Sequence, residues 1–191
     1  MGSFARNAGQ AAACYAVAGR RFLFAAGASA QTAPAGKRGV TCEPDNGGLT
    51  LPSGFCAVTV ASKLGPVRQL VATPSGDLYA AISGKSGDGT GGVLAFRDTS
   101  GDGHPDERAS FGPGGGNDVK LHDGYLYYAL NDRIVRWRLT PGKLEPDTPM
   151  ETVVSGLPAG GGQIAKSVAF LGDTMIVNFG SATNSCQETD R

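Results

Sequence analysis

The sequence predicts an all-β chain that forms part of a β-propeller. Three observations carry this. Glycine supplies 30 of the 191 residues, against an average usage of about 7%. Short runs of Val, Leu, Ile and Tyr stand between turn signals, as half-buried strands do. Three hairpin patterns also match each other in register, with Leu78, Leu126 and Met175 at the same place after each turn. Their spacings, 126 − 78 = 48 and 175 − 126 = 49, fit a four-stranded propeller blade of about 40–50 residues. A β-sandwich with coincidental spacing is the alternative.

Taken in order, residues 1–30 read as an export signal. Arg20 and Arg21 precede the apolar run at 22–26, and Ala28-Ser29-Ala30 gives a small-x-small cleavage pattern. The arginine pair is also a weak match to a twin-arginine signal, and an Ala-rich helix is the plain alternative. The segment holds Arg6, Arg20 and Arg21 and no acid, so the rest has 17 − 3 = 14 basic against 17 acidic residues. A lead-in segment over 31–66 follows. In it Cys42 and Cys56 bracket a loop with Pro44, Gly47, Gly48, Pro52 and Gly54, and their pairing fits an exported chain. Two free thiols are the alternative.

Residues 67–191 hold about three blades. The first hairpin pairs 69–73 with 78–82 around Pro74-Ser-Gly-Asp77. The second pairs 118–122 with 125–129 around Asp123-Gly124, and the third pairs 167–171 with 174–178 around Gly172-Asp173. Asp-Gly and Gly-Asp between apolar runs favour the tight turns that need positive φ. Further strands are expected at 93–97 and 133–139, with Trp137 packing between blades. The glycine runs 112–116 and 160–162 precede inner strands, where the backbone either approaches something closely or forms a flexible loop.

Between the first two hairpins, Asp98, Ser100, Asp102 and Asp106 place oxygen side chains around Gly101 and Gly103. That spacing suits a hard cation, and Ca²⁺ takes six to eight oxygens. His104 would offer its carbonyl. The pattern resembles the first nine positions of an EF-hand loop and departs at the twelfth, Ala109. A solvated turn is the alternative.

Composition excludes several classes. Lys+Arg and Asp+Glu are both 17, so no basic footprint for nucleic acid exists. No run of 18 apolar residues predicts a membrane span. The two histidines, His104 and His122, have no zinc spacing. No G-x-S-x-G elbow, P-loop or strand-linked G-x-G-x-x-G is present.

Four stretches together resemble the soluble quinoprotein glucose/sorbosone dehydrogenase family. They are the Cys42–Cys56 segment, Phe96-Arg-Asp98 running into Gly101-Asp-Gly103 and Asp106-Glu107, residues 121–127, and 177–181 followed by Asn184-Ser-Cys186. The resemblance covers roughly 42–191. It implies the N-terminal half of a six-bladed, TolB-like propeller that holds pyrroloquinoline quinone (PQQ) with Ca²⁺ over its channel. Such enzymes oxidise sugar or aldehyde substrates by hydride transfer to the quinone and pass electrons to a c-type cytochrome or another acceptor. The family's catalytic His is matched here by Gln163, whose amide does not titrate and cannot act as a general base. Asn117, Lys166 and Asn184 are the cofactor-facing candidates, and Cys186 would find its partner downstream. Two other readings stay open: a non-catalytic, Ca²⁺-stabilised binding propeller, and a truncated gene product.

Overall fold

The computed structural model of the chain describes residues 14–19 (backbone alone), 39–84, 91–160 and 163–181. Two compact units divide the chain: Met1–Leu64 with Asp98–Asp106, and Gly65–Arg97 with Glu107–Arg191.

The first unit contains two antiparallel strands, β1 (Cys14–Gly19) and β2 (Phe55–Ala61). Part of the expected export segment is therefore paired strand and not helix; the remainder of 1–30 lies outside the described residues. Cys42 and Cys56 are bonded, with their Cα atoms 5.6 Å apart. The bracketed loop is ordered locally. Asp45 accepts from the Gly47 amide at 3.0 Å, capping a short 3-10 turn at Asn46–Gly48, and Asn46 Oδ1 accepts from the Ala57 amide at 3.2 Å. Ala57 and Val58 of β2 are buried.

The second unit is all antiparallel β. Strands β3 (Val67–Ala72), β4 (Leu78–Ser83), β5 (Gly91–Arg97) and β6 (Glu107–Phe111) form one sheet in chain order. Strands β7 (Gly116–His122), β8 (Tyr125–Leu130), β9 (Ile134–Arg138) and β10 (Glu151–Val154) form a second, and β11 (Lys166–Leu171) pairs with β12 (Thr174–Phe179). Two four-stranded meanders and a following hairpin are the build of propeller blades. β7 packs against β3 and β4 on one side and against β11 on the other. The first strands of the sheets thus face one another, as blades around an axis require.

The turns follow their residue types. Asp123 and Gly124 both take positive φ, 47° and 76°, the type I′ pattern whose twist matches the strands it joins. The first hairpin closes a longer turn, in which the Thr73 amide donates to the Asp77 carbonyl at 2.8 Å.

Alternation along β8 divides the core. Leu126, Tyr128 and Leu130 pack toward the first sheet with Tyr79, Ala81, Val93, Val135 and Trp137. Tyr127 and Ala129 pack toward the third hairpin with Val168, Phe170, Met175 and Val177. Leu126 and Met175 each face the preceding sheet, and Tyr79 and Tyr127 each face the following one. The 48-to-49-residue repeat therefore preserves facing as well as position. Trp137 sits in the first of these cores, edge-on to Phe111 at 5.2 Å.

Candidate functional site

The starts of the inner strands come together around a cavity of about 200 Å³, lined by Arg68, Ser83, Gly115, Asn117, Asn131, Gln163, Ile164 and Ala165. Arg68 enters from β3, Asn117 from β7, and Gln163 from the segment before β11. Ser83 ends β4, and Asn131 follows β8. Glycines make this convergence possible. Gly115, at φ 87°, donates its amide to the Gly84 carbonyl at 2.8 Å and so ties the first sheet to the second. A Cβ on Gly116 would fall on the Tyr128 ring, and one on Gly180 would fall on the Gln163 backbone. The Gln163 amide in turn donates to the Ser181 carbonyl at 3.2 Å.

The lining is polar and internally oriented. Asn117 Nδ2 donates to Asn131 Oδ1 at 2.8 Å, and Arg68 Nε donates to Ser83 Oγ at 3.0 Å. Directly beneath, Asp118 is buried. Its Oδ2 accepts the Val168 amide of β11 at 2.8 Å. Its Oδ1 lies 3.2 Å from Lys120 Nζ but makes no hydrogen bond. Tyr128 OH accepts the Gly116 amide at 3.0 Å. Burial raises the Tyr128 phenol to about 12, partly offset by the Gly116 and Gly92 amides.

Asn117 and Gln163, both expected from sequence, share this cavity. Lys166 does not line it: its buried ammonium donates to the Ile164 carbonyl at 2.7 Å and lies 5.8 Å from the Phe179 ring centre. Asn184 and Cys186 lie outside the described residues. Arg68, Ser83 and Asn131 were not singled out by sequence. The repeat does connect two of them, since Ser83 and Asn131 are separated by 131 − 83 = 48 residues.

The acidic loop of the first unit folds on its own backbone. Asp98 accepts the Gly101 amide at 2.6 Å, the Gly103 amide at 2.8 Å and the Ser100 hydroxyl at 3.2 Å. Asp106 Oδ2 accepts both the amide and the hydroxyl of Thr99, each at 2.7 Å, and the Ser100 amide at 2.9 Å. Asp102 accepts the His104 amide at 2.9 Å. Burial pushes the Asp98 carboxyl up, but the Gly103 and Gly101 amides outweigh it and leave it below its ordinary value. The Thr99 hydroxyl and the Ser100 amide hold Asp106 down as well. Among the described residues, Asp98, Asp102 and Asp106 do not gather as a group of mutually close ligand atoms; His122, Asp123 and Asp173 do.

The inner-strand cavity does not fit pyrroloquinoline quinone. It offers one guanidinium to a tricarboxylate and no titratable base, and at about 200 Å³ it falls below the roughly 300–1,000 Å³ of pockets that enclose a drug-sized, multi-ring ligand. Neutral amides, a hydroxyl and a guanidinium suit ligand hydroxyl groups instead.

No protein-family model and no curated protein sequence matches the chain. Among solved structures, the calcium structure of a Trichoderma reesei enzyme of carbohydrate-active family AA12 is similar, with a TM-score of 0.49 and 17% identity. The match covers 64% of this chain and 31% of that one. The chain thus spans under a third of that enzyme's length.

Proposed function

We propose that the chain forms blades of an exported, sugar-directed propeller of the quinoprotein glucose/sorbosone dehydrogenase type, and that its inner-strand cavity binds substrate hydroxyls. One observation carries this reading. Arg68, Ser83, Asn117, Asn131 and Gln163 converge on one cavity from two successive sheets and from the segment that leads into β11. Amides both donate and accept, which matches the alternating demands of neighbouring hydroxyls. The Asn117–Asn131 hydrogen bond holds two of those amides in place before any ligand arrives.

In such a propeller the quinone is the hydride acceptor. The residues around this cavity orient a substrate and move no proton, because Gln163 has no titratable group. An electron acceptor such as a c-type cytochrome and Ca²⁺ at Asp98, Ser100, Asp102 and Asp106 belong to the same proposal; quinone binding rests on the sequence resemblance alone, since this cavity does not fit it. For the cation, Asp98 and Asp102 would turn from their backbone amides toward it. The Cys42–Cys56 bond supports export, since disulfides persist in oxidising compartments. No helix among the described residues is long and apolar enough to cross a membrane.

Gln163 favours a second reading, a non-catalytic sugar-binding propeller. Aldose binding to the 191-residue chain, followed by saturation-transfer NMR, tests the shared part. Binding that weakens at least about fivefold in Asn131→Ala, roughly one lost hydrogen bond, is the expected result; no binding removes both readings. Dye reduction with added quinone, Ca²⁺ and aldose then separates them. Reduction by a Gln163→His variant alone supports a lapsed dehydrogenase, and none in either form supports the binding module.

A further inference from the structure

The opposite ends of the inner strands carry a separate cluster. His122 is the last residue of β7, and Asp123 is the first residue of the turn that follows. Asp173 lies in the turn between β11 and β12. Because β7 packs against β11, these two turns, 50 residues apart in sequence, lie side by side. We propose that His122, Asp123 and Asp173 form a binding site for a first-row divalent cation of the Zn²⁺ type.

Geometry supports this. One nitrogen or oxygen from each of the three residues lies within 4.8 Å of the others. Donors bound tetrahedrally to one ion at Zn–N and Zn–O distances of about 2.0–2.2 Å stand roughly 3.4 Å apart, so rotation of the two exposed carboxylates by about an ångström closes the set. Asp123 and Asp173 are exposed and free to make it. The imidazole is already held: its ring stacks on Phe170 with centres 4.0 Å apart and planes 3° from parallel. His122 Nε2 also already faces Asp123 Oδ2, at 3.4 Å.

The surroundings favour the ion. A cavity of about 400 Å³ adjoins the three residues and leaves room for water to complete a tetrahedron. Arg136 lines it too, but its charge is engaged by Glu151 at 2.8 Å, by the Tyr127 hydroxyl at 3.1 Å and by the Tyr125 ring at 4.0 Å. One imidazole with two carboxylates is a borderline donor set suited to Zn²⁺, and too sparse for Ca²⁺, which wants six or more oxygens. Bound there, the ion ties the second sheet to the third hairpin. The site is independent of the hydroxyl-binding cavity and stands or falls apart from it.

The chain has two histidines, which makes the test clean. The 191-residue protein, with the Cys42–Cys56 bond intact and other thiols alkylated, is titrated with Zn²⁺ while the imidazole resonances are followed by NMR. Movement of His122 and not His104 is expected, saturating at one equivalent and reversed by chelator. Affinity falls at least about tenfold, or 1.4 kcal/mol, in Asp173→Asn, and is unchanged in His104→Ala. Asp173 sits on an exposed turn, so that variant folds. Binding undiminished in Asp173→Asn, or movement of His104 instead, overturns the proposal.

Discussion

At the scale of single residues, the contact between Gly116 and Tyr128 shows why glycine is placed where it is. The backbone at 116 lies flat against a fully buried ring, so no side chain fits between them. Gly116→Ala is expected to cost about 1–3 kcal/mol, the usual range for overpacking a tight core, read as a lower urea midpoint with an unchanged slope. Tyr128 also sets an alkaline limit. Its folded phenol is raised to about 12 against about 10 in the unfolded chain. The neutral form is therefore the one that folding favours. Its contribution is full below pH 10 and is lost as pH rises through 12, a linkage of roughly 3 kcal/mol at its limit. Buried Tyr79 is raised in the same sense, first by burial and then by Asp77. Stability measured between pH 9 and 12 should fall less steeply in Tyr128→Phe than in the parent protein. Part of the site was legible at this scale. Asn117 and Gln163 are reached through the resemblance, and both follow glycine runs, which alone leave open a close backbone approach or a flexible loop. The resemblance makes Lys166 a cofactor-facing candidate, but its ammonium is satisfied by the Ile164 carbonyl, a contact that no sequence pattern announces.

At the scale of elements, strands with an apolar face were legible and the last strand of each four-stranded sheet, β6 and β10, was not. β4, β5, β8 and β9 each carry buried alternating or continuous apolar residues. β6 reads Glu-Arg-Ala-Ser-Phe and is mostly exposed, and β10 reads Glu-Thr-Val-Val with little burial. Their strand conformation comes from pairing with β5 and β9, so it is decided by the neighbour and not by their own pattern. The His122–Asp123–Asp173 cluster was invisible for a related reason, because only the packing of β7 against β11 brings the two turns together. The disulfide element allows a direct test. In the chain-entropy relation a loop of about 15 residues is worth about 3 kcal/mol, so a Cys42→Ser, Cys56→Ser double variant should lose stability of that order in the first unit, read by amide exchange of β2. The acidic loop has a pH limit of opposite sign to that of Tyr128. Asp98 and Asp106 are depressed in the fold, so their contribution is present above the ordinary carboxylate range and is lost as pH falls through their lowered folded values. Amide exchange at Gly101 and Gly103 should accelerate below about pH 4 beyond its intrinsic rate, and no such excess should remain in Asp98→Asn.

At the scale of the whole molecule, the repeat makes a statement about a surface. Tyr79 and Tyr127 face the following sheet and are 1% and 6% exposed. The equivalent position one repeat later, 127 + 49 = 176, is Ile176, which is 52% exposed. Leu171 lies on the same face of the β11–β12 hairpin and is 75% exposed. Among the described residues, Leu171 and Ile176 stand on this face without a sheet against them, beside Ser167, Thr174 and Asn178. Exposed apolar side chains associate, because burying them removes their area from water. The chain is therefore expected to self-associate as its concentration rises, with a mass by light scattering above that of a monomer. Leu171→Lys with Ile176→Lys should return the mass to the monomer and leave the β-sheet signal by circular dichroism unchanged, since both side chains already stand in water. Tyr127→Lys should instead unfold the second sheet, because the same register position is there enclosed by Phe170 and the hairpin beyond it. A parent chain that stays monomeric at high concentration would show that this face is not an association surface, whatever its composition.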